Sequence, residues 1–136
     1  MNDERIEPVI EHEYVVSLVN TTDEETGKPL LTARIRTTRE FESFAYSIAL
    51  DSRYVSSENR WNVDIGGLSL PSITRTTSGS AWSDVSIPMP FGCDLEIVLK
   101  KRGKNSSVQI ALSQDGSITI VEVAGDGFAR YEVAPS

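Results

Sequence analysis

The sequence predicts an all-β fold: a single antiparallel β-sandwich of about nine strands that ends in a four-strand meander. Apolar residues recur at every second position along most of the chain, and segments rich in Gly, Asn and Asp separate these runs. Helical periodicity is hard to find anywhere. Because 136 residues suit one core, we expect residues 1–136 to form a single β domain with an acidic leader at residues 1–13.

The first half of the chain predicts four strands with polar connections. A polar loop at residues 20–29 follows the first strand, and Gly66-Gly67 predicts a bulge or bend in the fourth. Two longer loops are expected, at residues 51–59 and 71–83. The four strands are predicted around residues 14–19, 31–35, 44–50 and 61–65.

The second half predicts an edge strand followed by the meander. Alternation at residues 85–89 is interrupted by Pro88 and Pro90, and proline is tolerated mainly at a sheet edge. Short Gly-, Asn- and Asp-containing links then separate the meander strands. Those strands are predicted at residues 95–101, 107–112, 117–123 and 128–133.

A closed β-barrel is the alternative architecture. The loops at residues 51–59 and 71–83 favour the sandwich, because they are long enough to carry the chain from one sheet to the other. An up-and-down barrel would need only short links.

The negative charge is concentrated at the start of the chain. Residues 1–25 hold eight acids and one base, a net of −7, which equals the formal charge of the whole protein. Nucleic acid and anionic membranes require a cationic footprint, so neither is expected as a partner. The leader is expected either to be solvated or to dock on a basic surface.

Catalytic groups are scarce. His12 is the only histidine and Cys93 the only cysteine, so no internal disulfide, metal site or cofactor is predicted. His12 is expected to be an exposed imidazole and Cys93 a partly buried, unreactive thiol. No catalytic residue is assigned, and the protein is predicted not to be an enzyme. A carboxylate-based hydrolase using Asp64 or Asp84 is the weakest alternative.

The two tryptophans differ in their surroundings. Trp61 alternates with polar residues and is predicted to be buried in the core. Trp82 follows a Ser- and Thr-rich stretch, where it is expected to plug one end of the core. Alternatively, a sugar ring stacks on Trp82 while Arg75 and Asp84 supply polar contacts, which would make residues 71–83 a carbohydrate or small-ligand site.

The leading functional prediction is a non-enzymatic binding or assembly module. We expect it to self-associate as a homo-oligomer through a sheet face or edge, or to bind another protein. If Met1 is the native start, the absence of a signal sequence predicts a cytoplasmic protein. The predicted association surface combines a small-residue face with a basic hairpin tip: Ala45, Ser47, Ala49, Lys100, Lys101 and Arg102.

Overall fold

The computed structural model describes residues 12–41, 47–69 and 79–134. These residues form two packed β-sheets that do not close into a barrel, so the predicted β-sandwich is confirmed. One 3₁₀ turn, Ser56–Glu58, is the only helical element among them. The strands are β1 (Tyr14–Thr22), β2 (Pro29–Phe41), β3 (Ser47–Val55), β4 (Arg60–Ser69), β5 (Gly79–Pro88), β6 (Asp94–Lys101), β7 (Lys104–Leu112), β8 (Ile118–Gly125) and β9 (Ala129–Val133).

The strand order differs from a simple meander. One sheet has the order β5-β2-β1-β9 and the other β3-β4-β6-β7-β8. Strands β6, β7 and β8 form a meander, but β9 joins the opposite sheet and pairs parallel with β1. The prediction that the fourth strand continues the meander is therefore wrong. Strands β4 and β6 are also parallel, so the sandwich is not purely antiparallel.

The core lies between the sheets and follows the alternation of the sequence. Along β6, Leu95, Ile97 and Leu99 are each at most 1% exposed, whereas the residues between them reach the surface. Trp61 is fully buried, as predicted, although its indole N–H has no hydrogen-bond partner. Burial of alternate apolar side chains is the main stabilising contribution.

Two predicted loops are shorter than expected. Strand β3 continues to Val55, so the connection to β4 is only the turn around Ser56–Glu58, which ends at Asn59 in the left-handed region. The predicted loop at residues 51–59 is therefore wrong. Residues 79–83 belong to β5, and the rest of the predicted 71–83 loop lies outside the described residues.

Two predictions about strand detail are confirmed. Gly66 and Gly67 stand opposite Ala49 alone, because Ile48 pairs with Leu68 and Leu50 with Ile65, and this shift in register is a β-bulge. Strand β5, which ends at Pro88, lies at the edge of its sheet.

The two sides of the sandwich are closed unequally. On one side β3 and β5 pack together, and the Ser83 hydroxyl on β5 bonds the backbone of Ile48 on β3. On the other side β8 and β9 belong to different sheets and barely touch. We call this second side the open corner and define it by Ile118, Ile120, Val121 and Val123 of β8 together with Tyr131 and Val133 of β9.

Candidate functional site

The open corner exposes side chains that lie on the core-facing side of β8. Val123 stands opposite Val108 on β7, and directly opposed residues share a face of the sheet. Val108 is fully buried, whereas Val123 is 53% exposed because no strand of the other sheet covers it. The neighbouring Val121 occupies a register shift and is 61% exposed. The inner face of the five-stranded sheet therefore extends beyond the four-stranded sheet that packs on it.

Strand β9 contributes the second wall of the open corner. Val133 is in register with the buried Leu18 on β1, so its side chain also faces the core, but it remains 44% exposed. A shallow cavity of about 330 Å³ lies at this end of the corner. It is lined by Asn20, Asp115, Gly116, Ser117, Ile118, Val133 and Ala134.

A structured turn forms the polar rim of that cavity. Asp115 accepts hydrogen bonds from the hydroxyl of Ser113 and, at 3.0 Å, from the backbone N–H of Ser117. These bonds, that of Ser113 first, lower the pKa of Asp115 to about 2. Gly116 has a φ of +88°, and a Cβ there would lie 2.3 Å from Nδ2 of Asn20. The hydrogen bonds of Asp115 therefore stabilise the tight turn between Ser113 and Ser117.

The outer face of the four-stranded sheet carries Trp82. This indole is 47% exposed on β5, so the expectation that it plugs the core is wrong. The Arg34 guanidinium stacks over its ring at 4.2 Å and forms two hydrogen bonds, of 2.8 and 3.0 Å, with Asp84. The bond to Asp84 raises the pKa of Arg34. Trp82 and Asp84 are thus brought together, while Arg75 lies outside the described residues.

The same outer face contains a second polar group further along the sheet. Glu132 on β9 accepts a 2.7 Å hydrogen bond from Ser17 on β1, and Arg36 on β2 donates a 3.1 Å bond to that serine. The bond from Ser17 is the largest of several effects that lower the pKa of Glu132. Arg36 and Arg130 also lie 3.6 Å from the Glu132 carboxylate. Charges of opposite sign therefore satisfy one another across this face.

The basic hairpin between β6 and β7, residues 100–104, meets the acidic leader. Its turn uses Arg102 and Gly103, both with positive φ. Lys101 lies 3.3 Å from the Glu13 carboxylate and 2.7 Å from the Tyr14 hydroxyl, and it also sits over the Tyr14 ring at 4.7 Å. Partial burial by itself would lower the pKa of Lys101, but these partners together raise it.

The predicted small-residue face is only partly described. Ala49 is exposed on β3, whereas Ala45 and the side chain of Ser47 lie outside the described residues. Strand β3 is the edge of the five-stranded sheet that packs against β5. The sequence did not single out Val121 and Val123. In the sequence, these valines alternate as apolar residues do in any half-buried strand. They are exposed because β9 joins the other sheet instead of continuing the meander after β8.

The candidate catalytic groups are not assembled into one cleft. Asp64 on β4 and Asp84 on β5 project from the outer faces of different sheets. The ring of His12 donates a 2.9 Å hydrogen bond from Nδ1 to the Gly127 carbonyl, and Cys93 is a partly buried free thiol, as predicted. Within residues 12–41, 47–69 and 79–134, no cluster of three His, Cys, Asp or Glu side chains is suited to a metal ion.

Comparison of the chain with protein-family models, with curated proteins and with solved structures gives no significant match. In the part of the chain that the structure describes, no helix has the length and hydrophobicity of a transmembrane segment. Function must therefore be inferred from the geometry of the described residues.

Proposed function

We propose that the protein is a non-enzymatic assembly module that self-associates through the open corner. The supporting observation is that Val123, on the inner face of the edge strand β8, is exposed, and that Val121 at the neighbouring register shift is exposed as well. Contiguous exposed apolar side chains at a sheet edge are typical of interaction sites.

A second copy of the chain fits this edge better than a dissimilar partner does. Strand β8 has eight residues and ends its sheet, so two copies can align their β8 strands antiparallel about a two-fold axis. Such pairing brings the exposed valines of both β8 strands to the seam between the copies. The only charged side chain on β8 is Glu122, which lies on the outer face opposite Gln109.

The other sheet edges are less suited to strand addition. Strand β9 has five residues, and two of them, Arg130 and Glu132, are charged. Strands β3 and β5 face each other and are joined by the hydrogen bonds of Ser83. Charged residues and close cover are the usual means by which edge strands avoid pairing.

The test is the oligomeric state of the full chain and of Val123→Lys, measured by sedimentation velocity and light scattering over a range of concentrations. We expect a wild-type dimer and a dimer at least about tenfold weaker in the variant, equivalent to about 1.4 kcal/mol. Because Val123 is 53% exposed, the fold of the monomer should tolerate the lysine. A wild-type protein that stays monomeric throughout would refute the proposal.

Gln109→Lys is the matched control. Gln109 is exposed on β7 at the outer face of the same sheet, where a smaller cavity of about 160 Å³ lies between it, Glu96 and Glu122. A lysine there should leave the dimer intact. Loss of the dimer in Gln109→Lys but not in Val123→Lys would move the contact to the outer sheet face.

Carbohydrate binding at Trp82 is the second candidate. Its support is the exposed indole beside Arg34 and Asp84 on a rigid sheet face. Sugars stack on aromatic rings in such positions. A glycan panel screened by tryptophan fluorescence should give a shift that Trp82→Phe abolishes, with the buried Trp61 as the remaining fluorophore. Absence of a shift with every glycan would remove this candidate.

A further inference from the structure

Beyond self-association, we propose that the acidic leader docks on the basic hairpin, residues 100–104, of its own chain. The contact between Glu13 and Lys101 supplies the first observation. It joins the last acid of the leader to the hairpin at 3.3 Å, and the Lys101 side chain is only 19% exposed. The ion pair is therefore partly shielded from solvent, where charge attraction is stronger than in bulk water.

The chain enters the described fold beside this hairpin. The backbone N–H of Glu13 bonds the Phe128 carbonyl at 2.8 Å, and the His12 ring bonds the Gly127 carbonyl. The turn that contains these two carbonyls is linked to the hairpin, because the Asp126 N–H donates to the Asn105 carbonyl at 2.6 Å. His12, to which residues 1–11 are joined, thus lies on the turn linked to the hairpin, and an extended chain of eleven residues spans about 36 Å.

The charges of the two segments are complementary. Residues 1–11 contain four acids and one base, a net of −3, whereas residues 100–104 contain four bases and no acid. Lys101 pairs with Glu13. Lys100, Arg102 and Lys104 form no ion pair with the acids of the described residues.

Two acids of the folded body lie near the hairpin, but neither forms an ion pair with its bases. Asp64 is in register with Lys100 on the neighbouring strand, and Asp126 accepts a 2.9 Å hydrogen bond from the Asn105 N–H. Arg102 lies in the turn and Lys104 is the first residue of β7, so both stand at the tip of the hairpin. The leader therefore meets a local surplus of positive charge on a protein that is acidic overall.

Paramagnetic relaxation tests this docking. A nitroxide is attached at Asn2→Cys in a Cys93→Ser, Val123→Lys background, so that the label is unique and the proposed dimer is weakened. We expect the backbone amides of residues 102–104 to broaden several-fold more than those of residues 126–127, which lie beside His12 and report on a leader that does not dock on the hairpin. In about 1 M salt, where the screening length is about 3 Å, the difference should disappear.

Charge reversal provides the matched comparison. Lys100→Glu, Arg102→Glu and Lys104→Glu together should abolish the preferential broadening. Lys28→Glu, in the loop between β1 and β2, should preserve it. Lys101 is kept because it also bonds Tyr14. Equal broadening of the two turns, insensitive to salt and to the reversal, would overturn the proposal. Broadening seen only when spin-labelled protein is mixed with unlabelled, isotope-enriched copies would assign the leader to a neighbouring chain and overturn it equally.

Discussion

Tyr131 on β9 and Ser106 on β7 form a hydrogen bond of 2.8 Å between their hydroxyls, across the interior of the sandwich. Ser106 is fully buried. The bond joins the two sheets on the side where β8 and β9 barely touch. It is a polar counterpart of the Ser83 contacts that join the sheets at the opposite side.

Tyr131→Phe should destabilise the fold by about 1–3 kcal/mol, because the buried Ser106 hydroxyl would lose its partner. The free energy of unfolding in urea measures the effect. Adding Ser106→Ala to the variant should recover part of the loss, since the unpaired hydroxyl is then removed. A double variant as unstable as the sum of the two single variants would contradict this coupling.

Stability should fall at alkaline pH through the same tyrosine. Burial raises the pKa of Tyr131 to about 12, from an ordinary value of 10.0. The contribution of the neutral phenol is complete below pH 10 and is lost as the pH rises toward 12. Between pH 9 and pH 11, the wild type should lose about 1.4 kcal/mol more than Tyr131→Phe in urea unfolding. If the wild type and Tyr131→Phe lose the same free energy of unfolding, ionisation of Tyr131 is not the cause of the alkaline loss.

Ser83→Ala should loosen the closed side of the sandwich. The Ser83 hydroxyl accepts a 2.9 Å bond from the Ile48 N–H and donates a 2.6 Å bond to the Ile48 carbonyl. Losing both should cost about 1–2 kcal/mol and speed hydrogen exchange at the Ile48 amide. Ser52→Ala is the control, because Ser52 is exposed on β3 and should give no change at Ile48. Unaltered exchange in Ser83→Ala would contradict the assignment.

Gly125→Ala should be among the most damaging substitutions outside the core. Gly125 has a φ of +88°, and a Cβ would lie 2.6 Å from the Asn105 carbonyl oxygen. We expect a loss of about 2–4 kcal/mol in urea unfolding. Gly67→Ala is the matched control, since a Cβ there meets nothing within 4 Å, and its effect should stay within about 0.5 kcal/mol. Similar effects of the two substitutions would show that the backbone of Gly125 is not constrained.

The positions of most strands could be predicted because each depends on nearest neighbours along the chain. The alternation around Trp61 and Val63 identified β4, and Gly66-Gly67 identified its bulge. The extent of β3 was missed, because Asp51, Ser52 and Arg53 lack the apolar alternation of a strand. These three residues are exposed on an edge strand. Backbone pairing with β4 holds them in a strand that their own polar side chains do not predict.

The sequence by itself determined the class of fold, the burial of Trp61 and the position of the charge, because side-chain alternation and composition are local properties. Only the tertiary structure decided that β9 leaves the meander to pair with β1, that Val123 therefore faces an uncovered corner, and that Trp82 lies outside beneath Arg34. The physical reason is that alternation tells which side chains share a face of a strand, whereas the strand that covers this face is chosen by contacts between residues far apart in the chain.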